Sequence, residues 1–200
     1  MVSKSRKGLI LILSSPSGAG KTTLAKKIAD KDSNFKISVS YTTRTPRPNE
    51  VNGVDYNFVS IDDFQDLSNQ NKFLEQAKVF GNYYGTLKGP IEKDLAKGVD
   101  YLFDIDWQGT EQVKKLMPLD IVPIFILPPS IEHLEDRLKK REEQNQELVK
   151  QRMKMAKGEI THWKDYKYIV VNEDIENCFS QINQIIKVER DLRASFNNIQ

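Results

Sequence analysis

The ten residues that follow the first apolar run have the types and spacing of a phosphate-binding loop. Residues 9–13 are all Leu or Ile, and the next ten read SSPSGAGKTT. A strand that ends in a Gly-rich loop, followed by a helix beginning Lys-Thr, turns backbone N–H groups and a helix dipole towards polyphosphate. Lys21 then reaches the outer phosphates, and the Thr22 hydroxyl can bind Mg²⁺. The sequence predicts a nucleoside triphosphate site made of Ser15, Pro16, Ser17, Gly18, Ala19, Gly20, Lys21, Thr22 and Thr23.

The first position of this loop departs from the strict pattern. Glycine is expected where the chain has Ser15, whereas Gly18 and Gly20 keep the tightest part of the loop permissive. A plain Gly/Ser turn between a strand and a helix would explain the glycines. It would not explain a Lys-Thr pair at the right offset, so we favour the nucleotide site.

A second candidate phosphate site lies in the segment SYTTRTPR, which begins at Ser40. Arg44 and Arg47 are three residues apart with a proline between them, so two planar guanidinium groups can bind one phosphate. Tyr56 and Tyr84 add hydroxyl donors. A solvated basic loop fits the two arginines equally well when they are considered alone. The phosphate loop elsewhere in the chain favours a second substrate site, because a kinase needs one.

Two acids, Asp104 and Asp106, follow the apolar residues of the predicted strand 101–105. In a doubly wound sheet, ligands and Mg²⁺ bind at this end of the strands. Strand alternation predicts both carboxylates on one face, so that one orients the metal shell or Lys21 and the other reaches substrate. Glu75 lies between apolar residues on a predicted helix or turn. From the residues alone it is an ordinary surface acid.

Three arginines flank the polar run 142–147, and they are Arg137, Arg141 and Arg152. The first two are four residues apart and share a helix face. On a mobile flap, such side chains can close over a triphosphate and neutralise charge on the transferring group. A solvated charged helix is equally consistent with the spacing.

The composition indicates an ordinary globular enzyme. The chain has 200 residues, 38% of them hydrophobic and 29% charged, with a net charge of +2. This balance argues against a general nucleic-acid binder. One cysteine, Cys178, excludes an internal disulfide and is compatible with a reducing compartment. No apolar run approaches the ~20 residues of a membrane helix. We therefore expect a cytoplasmic protein that acts on small molecules, without nucleic acid or membrane.

The alternation of short apolar runs and amphipathic stretches predicts an α/β fold with a mostly parallel sheet flanked by helices. The predicted strands are 9–13, 101–105, 121–127 and 168–171, with Pro123 shifting the paired part of the third towards residue 124. The predicted helices are 22–29, 90–97, 110–116, 130–141, 148–163 and one from 175 to about 188. The turn-rich segment 37–86 does not follow this alternation and predicts an inserted subdomain.

Over nearly all its length the chain resembles the guanylate kinase family, which phosphorylates GMP from ATP. The matching segments are 14–23, 40–47, 50–53, 55–56, 81–86 and 104–109. The resemblance implies a single domain with three parts. They are a P-loop kinase core (about 1–36, 87–136 and 153–200), a GMP-binding insertion (about 37–86) and a short lid (about 137–152).

The same resemblance implies roles for individual residues. Arg44, Arg47, Tyr56 and Tyr84 would hold the GMP phosphate. Glu75, Thr86 and Asp106, with Ser40 nearby, would read guanine, and Gly85 and Asp104 would also bind GMP. Asn172 matches the adenine-side contact of ATP, and the catalytic residues would be Lys21, Arg44, Arg137, Arg141 and Arg152. The cofactor is Mg²⁺, held by Thr22 and, through water, by Asp106. The family usually has Gly where this chain has Glu142, which puts the hinge of the lid in question.

The implied chemistry needs no general base. The acceptor is a phosphate monoester whose second pKa is about 6, so it is largely an oxyanion at neutral pH. The expected partners are ATP and GMP or dGMP, and the expected state is a monomer or homodimer. Three alternatives remain open at this point. They are a kinase for another nucleoside monophosphate or a small hydroxyl compound, a catalytically inactive binding domain for phosphorylated peptides, and a nucleotide-dependent switch protein.

Overall fold

The computed structural model describes residues 6–79, 81–142 and 145–197, and of residues 141, 196 and 197 the backbone alone. Its elements in chain order are β1 (Ile10–Ser14), α1 (Lys21–Lys31), β2 (Phe35–Ile37), β3 (Tyr41–Thr42), β4 (Asn57–Phe58), α2 (Ile61–Asn69), β5 (Phe73–Val79), β6 (Asn82–Leu87), α3 (Lys88–Leu95), β7 (Asp100–Asp104), α4 (Trp107–Leu116), β8 (Ile121–Leu127), α5 (Ile131–Arg141), α6 (Gln146–Ile160), β9 (Tyr168–Val171) and α7 (Ile175–Asn197). A 3₁₀ turn, Thr161–Asp165, joins α6 to β9.

The central sheet has five parallel strands in the order β2-β7-β1-β8-β9. Strand β1 lies in the middle and is buried on both faces, as its unbroken apolar sequence requires. Its alternate residues enter two separate cores. Leu11 and Leu13 pack with residues of α1 and α7, whereas Ile10 and Ile12 pack with residues of α3 and α4. The predicted α/β fold with a mostly parallel sheet flanked by helices is confirmed.

A second sheet, β4-β3-β6-β5, is formed by residues between 41 and 87. Phe64 of α2 stacks on Phe73 and Tyr83 of this sheet, at 4.5 and 5.5 Å between ring centroids. Gly85 allows this close packing, because a Cβ there would lie 2.9 Å from Phe73 Cδ1 and 3.1 Å from Phe64 Cζ. The segment that breaks the alternation in the sequence thus has a sheet and a helix of its own.

Two local predictions were wrong, and a third holds for one neighbouring strand only. Strand β8 pairs with β1 from Ile121, through Pro123, whereas its ladder to β9 begins at Ile124, as predicted. Glu75 lies on a strand rather than on a helix or turn. Strand β7 ends at Asp104, and Asp106 caps α4 by accepting from the Gly109 N–H at 2.9 Å. The two acids therefore do not share a strand face.

The helix predicted over residues 130–141 is present as α5. Helix α5 begins after Ser130, whose hydroxyl accepts from the His133 N–H as an N-cap. Cys178 is buried in the core beside α1. Among the described residues, no helix is both long and apolar enough to cross a membrane.

Candidate active site

The phosphate loop connects β1 to α1, and its conformation depends on two glycines. Gly18 has φ +92° and Gly20 has φ +98°, which side chains rarely tolerate. A Cβ on Gly20 would also lie 2.4 Å from Asn172 Nδ2. Among the described residues, Asn71 alone combines a side chain with positive φ, so Ser15 occupies a position that does not need glycine. Serine in place of glycine at position 15 therefore causes no backbone strain.

The first turn of α1 is prepared for an anion. Gly20 is its N-cap, and no side chain of the described residues caps this end by a hydrogen bond. The N–H groups of the first turn are therefore available to a ligand, and the dipole favours negative charge there. Lys21, Thr22 and Thr23 form this first turn, directly after the loop residues 15–20.

Asp104 connects the loop to the neighbouring strand. Its Oδ1 lies 2.8 Å from Lys21 Nζ, and its Oδ2 accepts from Thr22 Oγ1 at 2.9 Å. The contact arises because β7 pairs with β1 and puts Asp104 level with Leu13, at the end of the strand that leads into the loop. The ammonium group, the hydroxyl group and the carboxylate are thus already together.

These oxygens suit a magnesium ion. Mg²⁺ prefers oxygen donors, binds few protein ligands and keeps waters and phosphate oxygens in its shell. The Thr22 hydroxyl and the Asp104 carboxylate meet that requirement at the mouth of the loop. Asp106, which the sequence put in this role, uses one oxygen to cap α4 but faces the same cleft.

Two predicted donor-side residues contact the loop backbone. Asn172 is only 3% exposed and donates from Nδ2 to Ala19 O at 2.7 Å. Arg137 donates to Asn172 O at 3.1 Å, and its Nη1 lies 3.5 Å from Ala19 O. In this structure both side chains support the loop.

The predicted lid is described in part. Arg152 of α6 donates to Ser17 Oγ at 3.3 Å. Its Nε lies 2.8 Å from Glu142 Oε1, an ion pair without hydrogen-bond geometry. Glu142 ends α5 with φ −95°, which any residue adopts, so this hinge does not require the glycine that the family usually has. The side chain of Arg141 lies outside the described part.

The arginine loop is organised by a carboxylate. Arg44 Nη2 donates to both oxygens of Glu50, at 2.7 and 2.9 Å, and the Arg47 N–H donates to Glu50 Oε2 at 2.8 Å. This hydrogen bonding raises the pKa of Arg44 and lowers the pKa of Glu50. The guanidinium also lies 5.3 Å from the ring centre of Tyr56. Arg47 is exposed, and no described residue accepts a hydrogen bond from its side chain.

A buried polar cluster lies beside this loop. Glu75 is 4% exposed and accepts from Thr86 Oγ1 at 2.6 Å, and Ser40 Oγ lies 3.1 Å from the same hydroxyl. Burial raises the pKa of Glu75, and the nearby Asp106 carboxylate raises it further. Strand pairing explains the contact, because Glu75 of β5 lies opposite Thr86 of β6. The prediction from the residues alone, that Glu75 is a surface acid, is therefore wrong.

Residues from both predicted sites line one cleft of about 320 Å³, large enough for a small ligand. Ser17 and Arg152 line it from the phosphate-loop side. Tyr56, Glu75 and Tyr84 line it from the second sheet, and Asp104 and Asp106 lie between. The structure thus brings together the two sets of residues that the sequence separated by at least 17 positions (Thr23 to Ser40).

Two residues of the site were missed by sequence reasoning. Glu50 was matched only as part of a motif, and Glu159 was not considered. Glu159 lines the cleft and accepts from the Ser17 N–H at 3.2 Å. A signal existed, because Glu159 lies seven residues after Arg152, two turns along the same face of one helix. Nothing comparable marks Glu50, whose role depends on the fold of an irregular loop.

Comparison with known proteins supports these observations. Residues 7–189 match the family model described as guanylate kinase. The guanylate kinase of Paramagnetospirillum magneticum is 48% identical over 186 residues, 93% of this chain and 87% of that protein. The one from Agrobacterium fabrum is 47% identical over 189 residues, 94% and 86% of the two chains. The crystal structure of guanylate kinase from Anaplasma phagocytophilum superposes with a TM-score of 0.78, at 40% identity, covering 93% of this chain and 88% of that one. The chain belongs to the guanylate kinase family of enzymes.

Proposed function

We propose that this enzyme transfers the γ-phosphoryl group of ATP to GMP, and also to dGMP, giving ADP and the nucleoside diphosphate. The observation that carries the proposal is the single cleft lined by the phosphate loop on one side and by the Glu75 cluster on the other. A nucleotide kinase needs a donor site and an acceptor site that face each other. The family matches and the relatives named guanylate kinase point to the same pair of substrates.

The donor side would hold ATP through the loop backbone. The N–H groups of Ser15 and of residues 17–23, together with the dipole of α1, would meet the phosphates, and Lys21 would approach the transferring group. Asn172 and Arg137 hold the Ala19 carbonyl, so we assign both a positioning role at the loop. Asn172 remains our candidate for the adenine side of ATP.

Magnesium would be held by Thr22 and Asp104, with Asp106 acting through water. Held there by these residues, the ion would supply positive charge against the phosphate oxygens. Asp104 also holds Lys21 Nζ at 2.8 Å, so the same carboxylate orients the ammonium group.

The acceptor side would hold GMP by its phosphate and by its base. Arg44, Arg47, Tyr56 and Tyr84 surround the position of the phosphate. Glu50 keeps the Arg44 guanidinium extended towards Tyr56. Guanine presents two adjacent N–H donors, which the Glu75 carboxylate can accept, with Ser40, Thr86 and Asp106 beside it. Adenine would leave that buried carboxylate unpaired, and such mispairing gives strong rejection.

The transfer itself would proceed in line and without a general base. The acceptor phosphate is already an oxyanion, so no proton has to be removed before attack. The work of the protein is to align two polyanions and to cancel their repulsion. Lys21, Arg44, Arg137, Arg141 and Arg152 provide the positive charge, the last three from the segment that we propose closes as a lid.

A coupled assay for ADP release tests the proposal. With ATP as donor, we expect rapid turnover of GMP, slower turnover of dGMP, and little with AMP or UMP. AMP turned over faster than GMP would move the enzyme to another monophosphate. Tight binding of a phosphorylated peptide with no turnover of any nucleotide would instead indicate a binding domain.

A further inference from the structure

One carboxylate, that of Glu159, contacts the backbone of the phosphate loop. Glu159 Oε2 accepts from the backbone N–H of Ser17 at 3.2 Å, and Arg152 of the same helix donates to Ser17 Oγ at 3.3 Å. Helix α6 therefore holds one loop residue at both its backbone and its side chain. The N–H groups of this loop are the ones that a polyphosphate uses.

The position of Glu159 is fixed by packing. Just after α6, the His162 ring stacks on Trp107 at 3.8 Å between centroids and 9° between planes. Ala156, three residues before Glu159, is fully buried between α5 and α6. Glu159 is half-buried and lines the cleft. It is therefore directed at the loop by its helix.

The charges around Glu159 are mixed. Burial raises the pKa of Glu159, and the Asp106 carboxylate raises it further. The Ser17 N–H, the Lys21 ammonium and His162 act in the opposite direction and lower it. A donor triphosphate would bring several negative charges into the same place. A carboxylate bonded to a loop N–H is then both a competitor for that N–H and a like charge close to the incoming phosphates.

We propose that Glu159 is an internal anion of the phosphate loop, which holds the Ser17 N–H before ATP binds and is displaced by the phosphates of the donor. Its release frees the face of α6 that carries Arg152, so donor binding is coupled to the movement of this helix. Glu159 is a positioning residue that weakens donor affinity and keeps the empty loop ordered. This inference rests on the proposed donor site.

Binding of ATP with Mg²⁺, measured by titration calorimetry in the absence of GMP, tests the proposal. Glu159→Gln keeps an acceptor for the Ser17 N–H and removes the charge, so we expect affinity for ATP to rise about fivefold or more. The gain should shrink as salt is added, because screening reduces a charge effect. Glu159→Ala should also tighten ATP binding, and neither variant should alter affinity for GMP.

Glu92→Gln on α3 removes the same charge outside the cleft and is the matched control, with unchanged ATP affinity expected. Unchanged or weaker ATP binding by Glu159→Gln would overturn the inference. Weaker binding by Glu159→Ala together with unchanged binding by Glu159→Gln would show that Glu159 only supports the loop. A wild-type protein that neither binds ATP nor phosphorylates GMP would instead refute the proposed function.

Discussion

The two proposed anion-binding regions are built in different ways. The phosphate loop is held between a fully buried strand and the first turn of a helix, and its shape depends on glycines with positive φ. The arginine loop lies between two strands of two residues each, and its shape depends on one carboxylate, Glu50. The proposed donor site is thus made mainly of backbone, whereas the proposed acceptor site is made of side chains.

This difference predicts how mutations divide between the two substrates. Backbone N–H groups survive most substitutions, so few single changes should destroy donor binding. Changes in the acceptor region remove the binding groups themselves. We therefore expect variants of the second sheet to affect GMP far more than ATP, and we expect Lys21 to matter for the transfer step more than for binding.

The largest effect is expected for Lys21→Met. Removing the ammonium group that approaches the transferring phosphate should lower kcat by about 1000-fold or more, while affinity for GMP stays close to wild type. A coupled assay measures the loss of kcat, and calorimetric titration with GMP measures whether its affinity is unchanged. Lys26→Met, an exposed position on the same helix, is the control. Loss of GMP binding with normal turnover at saturation would contradict the separation of the two regions.

Arg44→Ala should weaken GMP binding by about 10- to 150-fold, since hydrogen bonds to charged groups contribute about 1.5–3 kcal/mol. Affinity for ATP should not change, because the proposed donor site is formed by the backbone of a different segment, the phosphate loop. Arg44→Lys keeps the charge but loses the planar fork, so its loss should be intermediate. An equal loss of affinity for both nucleotides would show that the two regions are not independent.

Glu75→Gln should reduce the preference for GMP over AMP by about tenfold or more, because an amide cannot accept both guanine N–H groups. Comparing kcat/KM for the two monophosphates measures the preference. Asp66→Asn, on the exposed side of α2 in the same segment, removes an equal charge and should leave the preference intact. An unaltered preference in Glu75→Gln would remove Glu75 from the base site.

The smallest effect concerns stability. Because burial raises the pKa of Glu75 above its ordinary value of 4.5, the folded protein binds this proton more tightly than the unfolded chain does. The buried charge of Glu75 does not lower the free energy of unfolding below pH 4.5, and it lowers this free energy increasingly as the pH rises through the raised pKa. Glu75→Gln should therefore melt about 2–4 °C higher than wild type at pH 7.5, and the difference should vanish near pH 4. A constant difference at all pH values would mean that the carboxylate is not the cause.

Sequence patterns were most informative where function depends on local chain geometry. The loop from Ser15 to Thr23 was predicted completely, because its strand, glycines and Lys-Thr pair are consecutive. Helix α5, predicted over residues 130–141, was found for the same reason. By contrast, Glu75 was read as a surface acid, since burial at that position requires β6 to lie alongside β5. Strand alternation misled for Asp106, because the strand ends two residues earlier than the alternation assumed.

The sequence alone determined the α/β class, the nucleotide loop and, through a family resemblance, a set of candidate binding residues. Those features arise from the order and period of neighbouring residues. The tertiary structure decided that Asp104 is the acid at Lys21 and Thr22, that Glu50 holds Arg44, and that Glu159 holds Ser17. Two of these contacts join residues more than 80 positions apart, and the third depends on an irregular turn. Only the packing of strands and helices fixes which distant side chains meet, because hydrogen bonds and ion pairs depend on distances of a few ångströms.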